Sequence, residues 1–386
     1  MAYFDNAATS QRPHSVIDLQ QAMTVQHNAN IHRAVHTLSN EATELYEKGR
    51  KAVARFIGAE SENNIVFTSG TTASINLVAA CFVRGGFLKQ GDKVVISYAE
   101  HHSNIVPWQL ACQTVGASLE VVPVEKDGTV DLQRLEAALT PEVEILAITH
   151  VSNILGVVNP IAQITEIAHA KGIPVLIDGA QGIVHRKVDV QAIGCDFYVF
   201  SGHKIYAPTG IGVLYGTEEW LEKLPPFMGG GDMVAKVTFA HTTYAEVPLK
   251  FAAGTSNITG GACMAPAVEF AQSVLENGEM AENELLLDGA MRRQLASVEG
   301  LTLAAAEAKE RIPLYSFTIE GVHPFDAATL LDKMGFALRS GHMCAEPLVD
   351  SLSQTGMLRA SLMPYNTLEE VERFGEALRR AVSMLR

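Results

Sequence analysis

No apolar stretch in this 386-residue sequence reaches the roughly 20 residues that a membrane-spanning helix needs, which excludes an integral helical membrane protein. The opening Met-Ala-Tyr-Phe-Asp-Asn lacks the basic segment and apolar core of a secretory signal, so a cytoplasmic protein is expected. Positive charge is short. Twenty-nine Lys and Arg against 43 Asp and Glu leave a net charge of −14, which disfavours a nucleic-acid backbone or an anionic membrane as partner. Cysteines number five, at 81, 112, 195, 263 and 344, with no Cys-x-x-Cys pair, which excludes a disulfide framework and a cysteine zinc site. There is no internal repeat and no low-complexity tract. With 47% hydrophobic and 19% charged residues the chain is not disordered, and its length implies about two domains.

What is present is an alternation of strand-like and helical segments. Runs at 65–68, 93–97, 118–124, 145–149, 174–177 and 196–200 read as strands, with helices over 15–27, 73–84, 131–139 and 161–171. A further helix containing Trp108 is expected to be capped by Ser103 or Asn104. This order predicts an α/β fold with a mostly parallel central sheet and helices on both faces. After residue 212 the alternation loosens into glycine-rich connections and long amphipathic helices at 265–278 and 281–298. A large domain over 15–262 is expected, with 1–14 and 263–386 forming a smaller α+β domain.

The strand ends carry the chemistry, because ligands of parallel sheets bind there. Lys204 follows the buried-looking run 196–200 within Ser201-Gly-His-Lys204; it is either a solvated surface amine or a partly desolvated amine able to condense with an aldehyde. Ser69-Gly-Thr-Thr72 opens a helix, either as a simple cap or as a cup for an anion. His101 is a loop residue or a ring placed to lie against a planar ligand. Asp178 is a cap or the partner of a protonated ring nitrogen. His32 and His36 would share a helical face as zinc ligands can, but no metalloprotease glutamate accompanies them, so no metal site is expected.

Taken in order, the motifs Asp5-Asn-Ala-Ala, Gly70-Thr-Thr, Glu100-His-His-Ser-Asn-Ile-Val-Pro-Trp108, Val151-Ser-Asn-Ile-Leu-Gly156, Asp178-Gly-Ala-Gln181, Ser201-Gly-His-Lys204, Ala253-Gly-Thr255 and Arg339-Ser-Gly-His-Met-Cys-Ala345 span nearly the whole chain. The sequence resembles the fold-type I pyridoxal-phosphate enzymes of aminotransferase class V, in particular the group II (SufS/CsdA-type) cysteine desulfurases and their relative selenocysteine lyase. The resemblance implies that Lys204 bonds pyridoxal 5'-phosphate and carries protons. Asp178 would face the pyridine nitrogen, His101 stack on the ring, and Gln181 reach the phenolic oxygen. Thr71, Thr72, Ser201 and His203 would hold the phosphate, joined by Thr255 from the second subunit of a homodimer. Asn153 and Arg359, with Arg339 nearby, would hold the substrate carboxylate.

The resemblance further implies that Cys344 attacks the sulfur of L-cysteine, giving alanine and a persulfide passed to a SufE/SufU/CsdE-like acceptor, as in iron–sulfur cluster assembly. Cys344 stands apart from the other four cysteines, whose neighbours are apolar or small, because Arg339 and His342 lie close in sequence and cations favour a thiolate. Two positions depart from the family pattern. Met343 stands where relatives have a second histidine, and Ser69 where they often have arginine. Selenocysteine as substrate, a class V lyase or transaminase that leaves Cys344 idle, and a non-catalytic scaffold are the competing readings.

Overall fold

The computed structural model describes residues 1–386. Seven strands form the central sheet: β1 (Ile65–Thr68), β2 (Lys93–Ser97), β3 (Ser118–Val122), β4 (Val143–Thr149), β5 (Val175–Asp178), β6 (Phe197–Ser201) and β7 (Gly212–Gly216). Their spatial order is β1-β7-β6-β5-β4-β2-β3. All neighbours are parallel except β7, which runs antiparallel to β1 and to β6. The central strands β5 and β6 are buried at every residue, which explains their unbroken apolar sequence, whereas the edge strand β3 exposes most of its side chains. Period-two alternation divides the core. Val175 and Ile177 face one apolar layer, and Leu176 faces the other.

The helices α1 (His14–Val25), α2 (Thr37–Phe56), α3 (Thr71–Arg84), α4 (Val106–Val115), α5 (Leu132–Ala138), α6 (Ile161–His169) and α7 (Ile258–Glu276) cover the two faces. Helix α2 was not among the predicted helices. Its sequence is largely polar, and only the spacing of Ala42, Tyr46, Gly49 and Val53, all buried, marks its inner face. A Cβ on Gly49 would lie 1.9 Å from the carbonyl oxygen of Gly261, so the glycine permits α2 and α7 to pack backbone to backbone.

A second core is built on the antiparallel sheet β8 (Leu301–Leu303), β9 (Leu314–Ile319), β10 (Arg339–Gly341) and β11 (Met357–Ser361), in the order β8-β9-β11-β10. Helices α8 (Gly278–Ala296), α9 (Pro324–Lys333) and α11 (Leu368–Leu385) pack on it, while α10 (Glu346–Leu352) follows the Cys344 turn. Phe4 from the N-terminal segment joins this core. The boundary drawn at residue 263 falls inside α7, whose buried residues Cys263 to Ala271 belong to the first core; the chain enters the second at Leu287. No helix is long and apolar enough to cross a membrane.

Two local expectations are corrected. Helix α4 is not capped by Ser103 or Asn104: Asn104 accepts a bond from the Trp108 indole (3.0 Å) and donates to Glu100 (2.8 Å), which are stronger claims on a buried amide than a helix end. His32 and His36 share no helical face. His32 sits in a turn at φ 70° and pairs with Glu47 at 3.0 Å, while His36 accepts the Ser39 N–H at the start of α2. No group of three or more His, Cys, Asp or Glu side chains is placed to hold a metal ion.

Candidate active site

The sheet order fixes where a ligand can enter. From β2 the chain moves outward to β3 and then crosses to β4 on the other side of β2, so the connections leaving β2 and β4 diverge and open a crevice at their carboxyl ends. A cavity of about 270 Å³ lies there. It is lined by every candidate residue named from the sequence except Thr255, which is exposed and lies outside it.

The first wall is the α3 N-terminus. Gly70 precedes it at φ 148°, and a Cβ on Gly212 would lie 2.4 Å from the Gly70 Cα, so two glycines let this turn sit against β7. The Thr71 N–H and hydroxyl both bond Ser201 Oγ at 2.8 Å, tying the ends of β1 and β6 together. Thr72 Oγ1 meets Ser103 Oγ at 2.7 Å, and Ser103 Oγ meets His101 Nδ1 at 2.9 Å. The N–H groups of Thr72 and Ala73 have no protein acceptor, so an anion at this helix end would find two free donors among hydroxyls.

The floor is acidic and buried. Asp178, 3% exposed at the end of β5, accepts only the Ala180 N–H at 3.0 Å. Burial raises its pKa, with the Ala180 bond and Lys204 pulling the other way. Lys204 is driven down to about 8, first by burial; Asp178 opposes the shift and Arg359 adds to it. Burial also lowers His101 to about 3, with Lys204, His102 and Arg359 reinforcing, and His203 to about 4, with Lys204 and Arg12 reinforcing. Both imidazoles are therefore neutral at physiological pH. Glu100, fully buried behind His101, accepts from Ser97, from Asn104 and from the Thr149 N–H, and burial raises it to about 7. Sequence reading did not single it out; its signal was an acidic residue at a strand end with an Asn four residues on.

The remaining wall comes from the second domain. Arg359, 3% exposed on β11, donates to the Asn153 carbonyl (2.9 Å) and to Asp5 (3.2 Å), and its buried Nε has no partner. Asp5 also holds Arg339 at 2.9 Å. Asp5 thus links both arginines, a role the sequence reading missed. Asn153 spends one amide N–H on the Met343 carbonyl (2.9 Å), and Gln181 spends one on the Ala7 carbonyl (2.7 Å), leaving each with a single further N–H for a ligand.

Cys344 is the one exposed cysteine. Burial pushes the Cys81 thiol to about 12 and those of Cys112 and Cys263 to about 11, and raises Cys195 as well, which disfavours the thiolate at all four. The expected cationic neighbours of Cys344 are not free: Arg339 is paired with Asp5, and His342 with Asp350 at 3.1 Å.

These groups fit pyridoxal 5'-phosphate. The unpartnered N–H groups at α3 suit its phosphate, the under-bonded Asp178 suits a protonated ring nitrogen, and a lysine that deprotonates near pH 8 suits its aldehyde. The orphaned Arg359 Nε suits one oxygen of an amino-acid carboxylate.

The sequence profile of the family described as aminotransferase class-V matches residues 2–374. A Halalkalibacterium halodurans protein named probable cysteine desulfurase is 45% identical, over 98% of this chain and 93% of its own. A Shigella flexneri cysteine desulfurase is also 45% identical, over 100% of this chain and 94% of its own. Among solved structures, the Escherichia coli cysteine desulfurase CsdA superposes with a TM-score of 0.91 at 38% identity, over 100% of this chain and 95% of that one. A Thermococcus onnurineus cysteine desulfurase gives 0.94 at 37%, over 99% and 95%.

Proposed function

The chain belongs to the class-V aminotransferase family, and within it we propose that it acts as a pyridoxal-phosphate-dependent cysteine desulfurase that turns L-cysteine into L-alanine and keeps the sulfur as a persulfide on Cys344. When bound, the cofactor supplies an electron sink at the substrate α-carbon. Arg359 receives the substrate carboxylate through Nε, with Asn153 beside it; Asp5, fixed by backbone pairing to β11, stops the guanidinium from turning away. Lys204 Nζ, with a pKa of about 8, exchanges protons with substrate carbon near neutral pH.

The Cys344 thiolate donates its electron pair to the substrate sulfur. The carbon–sulfur bond breaks, its electrons remain on carbon, and that carbon takes up a proton. The persulfide so formed is exposed, which suits collection by an acceptor protein. A second copy of the chain supplies Thr255 to the phosphate; its exposure outside this chain's own cavity supports that assignment.

The observation that carries the reading is one exposed cysteine lining the same cavity as a desolvated lysine. The test measures alanine and sulfide from L-cysteine with a reductant, in wild type and Cys344→Ala, both loaded with cofactor. Loss of turnover in the variant is expected. Equal turnover would make Cys344 dispensable and favour a class V lyase, and turnover with selenocysteine but not cysteine would make the enzyme a selenocysteine lyase.

A further inference from the structure

We infer that His102 is a positioning residue for the sulfur-accepting cysteine: it holds the Met343–Cys344 turn at the mouth of the cavity. The kinetic part of this inference rests on the desulfurase reading; the structural part does not. Met343 and Cys344 lie consecutively at φ 50° and 57°, a left-handed conformation that side chains other than glycine adopt rarely and keep only where the surroundings over-determine it.

The turn connects β10 to α10, and the ties that hold it come from the large domain. The His102 N–H donates to the Cys344 carbonyl at 2.7 Å, and His102 Nε2 accepts the Glu346 N–H at 3.1 Å. One residue therefore grips the chain on both sides of Ala345. That second bond satisfies an N–H in the first turn of α10, whose preceding residue Ala345 offers no side-chain cap. Asn153 adds a bond to the Met343 carbonyl, and Tyr98 Oη one to the Pro347 carbonyl at 3.1 Å.

His102 is also rooted. Glu100, two residues earlier, is locked by Ser97, Asn104 and Thr149, and His101 and Ser103 on either side belong to the cofactor wall. Three consecutive residues after β2 thus send their side chains to two destinations, His101 and Ser103 to the cavity wall and His102 to the cysteine turn. The nucleophile is thereby referenced to the strand end that orients the substrate's electron sink, rather than to its own domain alone.

Cys344 is the only exposed thiol, so iodoacetamide reads this turn without interference. In the cofactor-loaded protein without substrate, His102→Ala should raise hydrogen exchange at the Ala345 and Glu346 amides about fivefold, the effect of one lost hydrogen bond, and change Cys344 alkylation by a comparable factor. With cysteine, kcat should fall about 3- to 10-fold on the same basis, while KM and the cofactor absorption band stay put. His102→Gln, whose Oε1 can accept the Glu346 N–H, should recover much of each effect. Unchanged exchange and alkylation in His102→Ala would overturn the inference. So would a loss confined to the cofactor band or to KM, which would mean that the residue acts through His101. A wild type inactive on cysteine would sink the desulfurase reading, and the exchange and alkylation data would still decide the role of His102.

Discussion

The cofactor-free protein offers a measurement in which Lys204 titrates alone. Burial brings its pKa from 10.5 to about 8. At pH 7 the neutral fraction is then about one in ten, against about one in 3,000 for an unperturbed lysine, a gain of roughly 300-fold in reactive amine. Addition to the cofactor aldehyde should accelerate with pH and level off above about 8. The same shift sets a stability profile. Between about 8 and 10.5 the unfolded chain still binds a proton that the folded chain has released, so stability rises with pH across this window. Below it, both states are protonated and the penalty is constant. The rise is up to about 3 kcal/mol, from roughly 1.4 kcal/mol per pH unit. Urea unfolding of cofactor-free wild type and Lys204→Met from pH 7 to 10.5 reads it, since only wild type should gain stability. Parallel curves, or an aldehyde-capture midpoint above pH 10, would refute a desolvated Lys204.

Three other outcomes are expected. Arg359→Lys keeps a cation for Asp5 but loses the fork and the free Nε, so kcat/KM for cysteine should drop about 10- to 100-fold, mainly through KM, with the cofactor band intact; a change in kcat alone would contradict the carboxylate role. Asp178→Asn removes the charge that raises the Lys204 pKa, so the midpoint of aldehyde capture by the cofactor-free protein should move to lower pH, while turnover falls by about 100-fold or more. Gly212→Ala would set a methyl group 2.4 Å from the Gly70 Cα and push the α3 turn off β7; cofactor affinity should weaken, with a stability loss of about 1–3 kcal/mol, both read by cofactor titration and thermal melts.

The sheet was legible because its strands are buried on both faces and therefore read as short apolar runs; those at 65–68, 93–97 and 196–200 reappear almost unshifted as β1, β2 and β6. Two strands of the second sheet were harder. β11 reads Met-Leu-Arg-Ala-Ser, with a buried arginine breaking the apolar pattern, and β10 is Arg-Ser-Gly, which local composition assigns to a loop. The boundary drawn at residue 263 lies inside helix α7 for a related reason. Helix α7 is apolar on nearly every side, and periodicity cannot say which of two cores a helix joins when both would accept it.

Cavity-lining residues were legible where a strand end delivers them singly, as with Lys204, Asp178 and Thr71. What sequence order could not show is how groups from both ends of the chain are shared. Asp5 stands more than 330 residues from the two arginines that it joins, yet its segment pairs with β11 at Ser361, so the sheet brings a carboxylate to the cations. Pairing of this kind also takes up the two residues that sequence places beside Cys344. Proximity in sequence made Arg339 and His342 look like activators of the thiol, whereas Arg339 pairs with Asp5 and His342 with Asp350. Lys204 and Arg359 line the same cavity as Cys344. Asp5 holds the second domain's two arginines at the cavity, and His102 ties the turn that carries Cys344 to the large domain, so both residues shape the site through the groups they hold.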